Sequence, residues 1–357
     1  MKIGVLTYHD INNYGAQLQA SSLQRFLQSL GHEAYLVDYR PWRSRVRYGM
    51  VYCRAVMSLD ISKLKFEYKK RGMFKDSITR LADLTPKKFY FQSSAMRHAQ
   101  EFDVLVCGSD ELWNFGNYLG YQAPYILDYD YGSIKPKKLS YAASMGDFKP
   151  DDVSKQLVRK SLQGFSSIFV RDTHTKAFVE SLDSSFAPTR VVDPTLLWDF
   201  EGESPTQKEP YLLLTGAGCN SSAVSQAAKK LAKDQGLKII SIGVSPPGLE
   251  STTVVATPEQ WIGYINNAQL HITTLFHGSI FSMKARKAFC VIVPDEKREK
   301  ISSLLSWFGQ SKRALSPEFT MDEMKQGLNM EFDEAFNEQI ELRISESKSM
   351  LVRAIGS

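Results

Sequence analysis

KIGVLTYHDINNYGAQLQASSLQRFLQSLG, residues 2–31, decides the fold. KIGVLT is a short apolar run of the kind that forms a buried strand. A polar turn, YHDINN, follows it. Then Ala16, Ala20, Leu23, Leu27 and Leu30 recur at three- and four-residue spacing, which marks the inner face of a helix over 15–30. Gly31 ends that helix. EAYLVDY restarts the strand pattern. Strand, polar loop and helix in succession build a parallel sheet with helices on its faces.

The same alternation runs outward along the chain. Helical periodicity is present near 59–82, and FDVLVCG and KLSYAAS read as strands. A helix over 151–165, the strand SSIFVRD, a helix over 173–182 and the strand TRVVDPT follow. DFEGESPTQKEP, residues 199–210, is polar with two prolines and reads as a linker. Beyond it come YLLLTG, a helix over 220–235, LKIISIG, a helix over 258–268, QLHITTL, a helix over 277–287, AFCVIVP and a helix over 296–308. Residues 333–354 read as a long terminal helix.

The pattern predicts an α/β protein of two Rossmann-like doubly wound domains facing across a cleft. The predicted domains are residues 1–198, with a basic helical insertion at about 40–90, and residues 210–332. The terminal helix, 333–357, is expected to pack back on the first domain. A length of 357 residues suits two domains at about 150 each. The composition, 43% hydrophobic and 23% charged, is that of a globular protein. No apolar run approaches the ~20 residues of a membrane span, and the N-terminus lacks a signal-peptide core. Cys53, Cys107, Cys219 and Cys290 show no zinc or redox spacing. Reduced thiols, no metal and a cytoplasmic setting are the expectation.

The net charge of +5 is uneven. Residues 40–75 hold eleven Lys/Arg against two Asp/Glu. Such a segment is a solvated arm or the docking face for an anionic surface. The expected partner is the inner face of a membrane, contacted peripherally. Arg40, Trp42, Arg43, Arg45, Arg47 and Tyr48 interleave basic and aromatic groups, as a nucleic-acid binder would. That reading ranks last, because it leaves the strand ends unexplained.

In doubly wound sheets, ligands sit beyond the carboxyl ends of the strands. After the first strand, Asn12, Asn13, Tyr14 and Gly15 lead into a helix N-terminus that offers amides to an anion or hydroxyl, or is simply an Asn-capped turn. After FDVLVC come Gly108, Ser109 and Asp110, with Trp113 as a stacking face or a core residue. Asp110 can accept a proton or orient a hydroxyl, or else Ser109 or Asp110 is a helix N-cap. After SSIFV, Arg171 is either an anion clamp or half of a structural ion pair. After YLLLT, Gly216, Gly218 and Ser221 form an incomplete phosphate loop. After QLHITTL, His277, Gly278 and Ser279 open a helix. His277 is a candidate proton shuttle, and His271 a packed core histidine.

The order YHDINNYGAQLQA, FDVLVCGSDELWN, LSYAASMG, SIFVRD, VVDPTLLW and TTLFHGSIFSM resembles the polysaccharide pyruvyltransferase family over about residues 2–313. The resemblance implies a GT-B-like architecture. It implies transfer of a pyruvyl group from phosphoenolpyruvate to a glycan or lipid-linked oligosaccharide as a cyclic ketal, in exopolysaccharide or cell-surface polysaccharide synthesis, with no resident cofactor. It also implies that Asp110, Arg171 and His277 serve activity. One departure is visible. The best-known branch carries Arg two residues before the histidine, where Leu275 stands here. Lys284, Arg286, Lys297 and Arg298 are nearby substitutes. The competing readings are a GT-B glycosyltransferase with a nucleotide-sugar donor, and a catalytically degenerate glycan-binding subunit.

Overall fold

The structure is a computed structural model that describes residues 1–44, 46, 50, 61–129, 136–205, 207–294 and 298–356. Cys53, Arg45, Arg47, Tyr48 and Lys297 lie outside the described residues. The chain divides into two compact units. Unit 1 is Met1–Trp198 with Leu342–Ser357, and unit 2 is Asp199–Glu341.

Unit 1 is built on β1 (Lys2–Leu6), β2 (Glu33–Leu36), β3 (Val104–Cys107), β4 (Lys137–Ala143), β5 (Phe165–Val170) and β6 (Thr189–Arg190). The order across the sheet is β2-β1-β3-β4-β5-β6, and every pair is parallel. The helices are α1 (Tyr14–Ser29), α2 (Ile61–Leu81), α3 (Gln92–Ala99), α4 (Asp152–Leu162) and α5 (Thr173–Leu182). The helix predicted over 15–30 is α1. Asn13 caps it by accepting from the Ala16 amide at 3.2 Å, which supplies an acceptor to one of the free first-turn N–H groups. Helix α2 of the basic insertion buries Phe74 and Ile78. Phe74 meets the Tyr14 ring at 4.9 Å, and Arg25 Nε donates to the Leu81 carbonyl at 2.8 Å. Helix α3 has no clear apolar period in the sequence. It forms because Ala95, Met96 and Ala99 are buried in the core beside β3.

Unit 2 carries β7 (Tyr211–Thr215), β8 (Lys238–Ile242), β9 (Thr252–Val254), β10 (Leu270–Thr273), β11 (Ala288–Ile292) and β12 (Ala314–Leu315). Their order is β12-β11-β10-β7-β8-β9, again parallel throughout. Its helices are α6 (Ser222–Gln235), α7 (Pro258–Asn267), α8 (Phe276–Lys284), α9 (Arg298–Trp307) and α10 (Met321–Asn329). The central strands are buried along their whole length, as a sheet covered on both faces requires.

The stretch read as a linker packs on unit 2. The Glu203 amide donates to the Glu259 carbonyl at 3.1 Å, and a side chain at Gly263 would collide with the Glu203 carbonyl. Helix α11 (Glu334–Gly356) ends in unit 1. There Ser347 accepts from the Val192 amide at 3.1 Å and Lys348 lies over Phe26. No helix among the described residues is long and apolar enough to cross a membrane.

Candidate active site

Topology marks one crevice in each sheet. The chain leaves β1 for β2 on one side and returns on the other at β3, so the switch point lies beyond the ends of β1 and β3. In unit 2 the switch falls between β7 and β10 by the same rule. The four loops that border these points are those the sequence singles out.

In unit 1, Gly108 has φ +131°, and a Cβ there would collide with the Tyr141 carbonyl oxygen. The neighbouring strand requires this glycine, and approach of a ligand is not needed to explain it. Gly108→Ala is expected to cost about 2–4 kcal/mol, the sum of overpacking and a strained φ. Urea unfolding at neutral pH measures it.

Beyond Gly108, Asp110 sits at φ 77°, fixed by its carbonyl, which accepts from the Ser144 amide at 3.0 Å. Its side chain is 18% exposed. Arg171 reaches it from the end of β5, with Nη2 3.4 Å from Asp110 Oδ1. Nη1 of the same guanidinium donates to Asp193 Oδ2 at 3.0 Å. Asp193 is fully buried, and its other oxygen accepts from the Thr195 amide and hydroxyl. Burial opposes the charge on Arg171, but Asp110 and Asp193 outweigh it and hold the guanidinium above its ordinary pKa. Arg171 is therefore a buried strut between two carboxylates. Asp172, its neighbour in the chain, caps α5 through the Thr175 amide at 2.7 Å.

Several expected contact residues are structural. Trp113 is 1% exposed and belongs to the core, so it offers no stacking face. Ser109 is fully buried, and its amide donates to Gln19 Oε1 at 3.1 Å. Asn13 is a helix cap, Tyr14 packs on Phe74, and Gly15 is buried in the first turn of α1. Asn12 is half-buried and lines a cavity with Asp10 and Arg40.

That cavity leads to groups the sequence reading passed over. Asp38, just past β2, accepts from Arg40 Nε at 2.5 Å and Nη2 at 3.0 Å, while His9 Nε2 lies 3.0 Å from the same carboxylate. Arg40 Nη1 continues to Asp10 at 3.0 Å. Asp38 and Asp193 each directly follow a short apolar run in the sequence, Leu36-Val37 and Val191-Val192, which is the signal that finds them. Burial raises the Asp38 pKa, but hydrogen bonds and charge from His9 and Arg40 bring it below the usual carboxylate range. A depressed folded-state pKa stabilises above the unfolded value of about 3.9, and the gain is lost as pH falls through the folded value. The stability gap between wild type and Asp38→Asn is therefore expected to be full near pH 7 and to close below about pH 4. Paired urea titrations at pH 7 and pH 3 check it.

In unit 2, Gly216 has φ +96°, and a Cβ there would collide with Thr274 Oγ1. Gly218 faces the Thr274 methyl, with 2.7 Å to a built Cβ. The glycines let the loops after β7 and β10 pack together. Ser221 caps α6 through the Val224 amide at 3.2 Å.

Helix α8 differs. Its N-cap is Leu275, which supplies no side-chain oxygen to the first-turn amides. His277 stands in that first turn, 8% exposed, with its ring edge-on to Phe276 at 5.3 Å. Gly278 packs on Thr273, and buried Ser279 bonds back to the Leu275 carbonyl at 3.3 Å. His271 is the packed core histidine, between Thr215 and Ser282 hydroxyls at 2.8 and 2.6 Å, its pKa pushed to about 3 by burial.

Of the candidate cations, Lys284 binds Asp199 at 2.8 Å, and Arg286 binds Asn337 at 2.8 Å and stacks on Phe336. Both belong to the far end of α8 from His277. Arg298 opens α9 after β11, the neighbour of β10, and so shares the carboxyl edge with His277. Among the described residues no group of three or more His, Cys, Asp or Glu is arranged to hold a metal ion. Cys107, Cys219 and Cys290 are free and buried, and burial raises each thiol pKa, that of Cys219 to about 12.

The family model described as polysaccharide pyruvyl transferase matches residues 13–296. None of the curated proteins compared matches significantly. Among solved structures, the UDP-GlcNAc 2-epimerase from Methanocaldococcus jannaschii aligns over 100% of this chain and 99% of its own, at 10% identity and TM-score 0.56. A putative UDP-N-acetylglucosamine 2-epimerase from Listeria monocytogenes aligns over 99% and 95%, at 11% identity and TM-score 0.58. The glycosyltransferase of kitacinnamycin aligns over 98% and 95%, at 12% identity and TM-score 0.51. At such identities the likeness is one of fold, a GT-B-like pair of Rossmann-like units.

Proposed function

The chain belongs to the polysaccharide pyruvyl transferase family, and on that premise we propose that it moves a pyruvyl group from phosphoenolpyruvate onto a glycan, closing a cyclic ketal across two hydroxyls. The observation that carries the reading is the first turn of α8. It has His277 inside it, no side-chain cap at Leu275, and a place at the switch point of its sheet.

Phosphoenolpyruvate carries about three negative charges, and the positive dipole end of a helix is suited to such an anion. Arg298 is a cation on the same sheet edge among the described residues. His277 gives its proton to the enol carbon, which becomes a methyl group. One sugar hydroxyl forms a bond to the neighbouring carbon and yields its proton to Asp110. The second hydroxyl then displaces phosphate, which leaves with the bridging oxygen and takes up the proton held by Asp110, while the second hydroxyl's own proton returns to the imidazole. In this scheme Arg171 holds Asp110 in place and does not itself grip the donor.

A donor screen tests the reading. Acceptor-dependent release of inorganic phosphate from phosphoenolpyruvate is expected. Release of a nucleoside diphosphate from a nucleotide sugar would point to the glycosyltransferase alternative, and glycan binding without any turnover to a degenerate subunit.

For the setting, we propose a cytoplasmic enzyme of exopolysaccharide or cell-surface polysaccharide synthesis that touches the inner membrane face through residues 40–75. In the described part of that segment Trp42 is half exposed beside the Arg43 guanidinium. Each well-placed Lys or Arg adds about 1 kcal/mol at an anionic surface. Sedimentation with vesicles should therefore rise with the anionic lipid fraction, and indifference to it rejects the contact.

A further inference from the structure

Unit 1 holds a cavity of about 290 Å³ beside the loop that follows β1. Four cations line it, Arg40, Arg71, Lys75 and Lys88, against one carboxylate among the described residues, Asp10. Arg40 is already paired with Asp10 at 3.0 Å and with Asp38 at 2.5 Å, so the excess positive charge lies with the lysines. Lys75 and Lys88 are exposed and pair with no acid among the described residues. Two exposed lysines on the rim of one concavity favour an anion inside it. Gln17 lines the same cavity, is 1% exposed, and spends its amide N–H groups on the His9 and Phe74 carbonyls. Its Oε1 has no partner, so the site offers an acceptor for a hydroxyl as well as cations for an anion.

We propose that this cavity binds the phosphate of a phosphorylated saccharide, so that the acceptor is recognised by its charge as well as by its hydroxyls. A single carboxylate would be matched by one guanidinium, whereas a phosphate dianion calls for several donors. The volume is that of a small ligand and holds no long polymer. Strand β3, whose loop carries Asp110, lies beside β1 at the usual ~4.8 Å spacing. A sugar anchored by its phosphate in the cavity thus presents hydroxyls to the loop that holds the proposed base. The assignment of this ligand as the acceptor rests on the pyruvyl-transfer reading, whereas the binding itself does not.

Isothermal titration of the full chain with glucose 1-phosphate, without phosphoenolpyruvate, tests the binding independently of turnover. Wild type is expected to bind glucose 1-phosphate and not glucose. The double variant Lys75→Gln/Lys88→Gln, altered at two exposed positions, is expected to keep its melting temperature and bind about 10–100-fold more weakly, since removing one charge-assisted hydrogen bond weakens binding by about a factor of ten or more. Equal binding by the double variant would overturn the proposal. So would inorganic phosphate binding as tightly as the sugar phosphate, or phosphoenolpyruvate competing for the same lysines. Binding only to phosphatidylglycerol vesicles, abolished in the double variant, would reassign the cavity to a lipid headgroup.

Discussion

His277→Ala is expected to fold as wild type does and to lower kcat at least about a hundredfold, because a positioned general acid supplies roughly 100- to 10,000-fold in rate. The ring is buried at the first turn of α8, with Phe276 and the turn itself around it. Removal leaves a small cavity at a loop edge, where the surroundings have room to relax, so the stability loss should stay modest. The effect belongs in the protonation step. With the wild type in deuterium oxide, the ketal methyl group should carry one solvent deuteron. In the variant that incorporation should slow in parallel with phosphate release. Near-normal phosphate release by His277→Ala removes the histidine from the scheme.

Arg171→Met should unfold more easily by about 3–5 kcal/mol, since it leaves Asp193 buried and uncompensated. Adding Asp193→Leu to it should recover part of that loss, because the pair can be replaced together at smaller cost than either member alone. A single variant within about 0.5 kcal/mol of wild type contradicts the strut. Kinetics separate positioning from clamping. If Arg171 acts through Asp110, the residual folded enzyme loses kcat while KM for phosphoenolpyruvate holds. A large rise in that KM with kcat intact would make Arg171 the donor clamp.

The fold was legible where the period was strong. Helix α5 spans Thr173–Leu182 as its spacing predicts, and β1, β7 and β10 fall within their apolar runs. Short pieces escaped. The α3 helix and the edge strands β9 and β12 take their conformation from what they pack on, and that information is not local. TRVVDPT shows the same limit, since only Thr189 and Arg190 pair and the prolyl turn at Pro194 bends the chain away.

The candidate site was legible as a set of strand ends and much less so as a set of roles. The rule that places ligands beyond the strand ends selects the loops after β1, β3, β7 and β10, which border the two switch points. It cannot say that Trp113 and Ser109 turn inward, or that Gly108 and Gly216 are demanded by Tyr141 and Thr274. Those facts depend on which strand is neighbour to which. The buried carboxylates Asp38 and Asp193 lie 29 and 22 residues from their partners His9 and Arg171. Only the sheet order brings them together. Leu275, which reads in sequence as a lost arginine, reads in the structure as a helix left without a side-chain cap.

Transfer from phosphoenolpyruvate is the step on which the proposed function depends. Its most direct measurement is proton NMR of the purified chain with phosphoenolpyruvate and a panel of phosphorylated and neutral saccharides, with inorganic phosphate followed in the same tube. A new methyl resonance on an acceptor is expected, appearing in step with acceptor-dependent phosphate. No methyl signal and no phosphate release with any acceptor, alongside turnover of a nucleotide sugar by the same preparation, would contradict it.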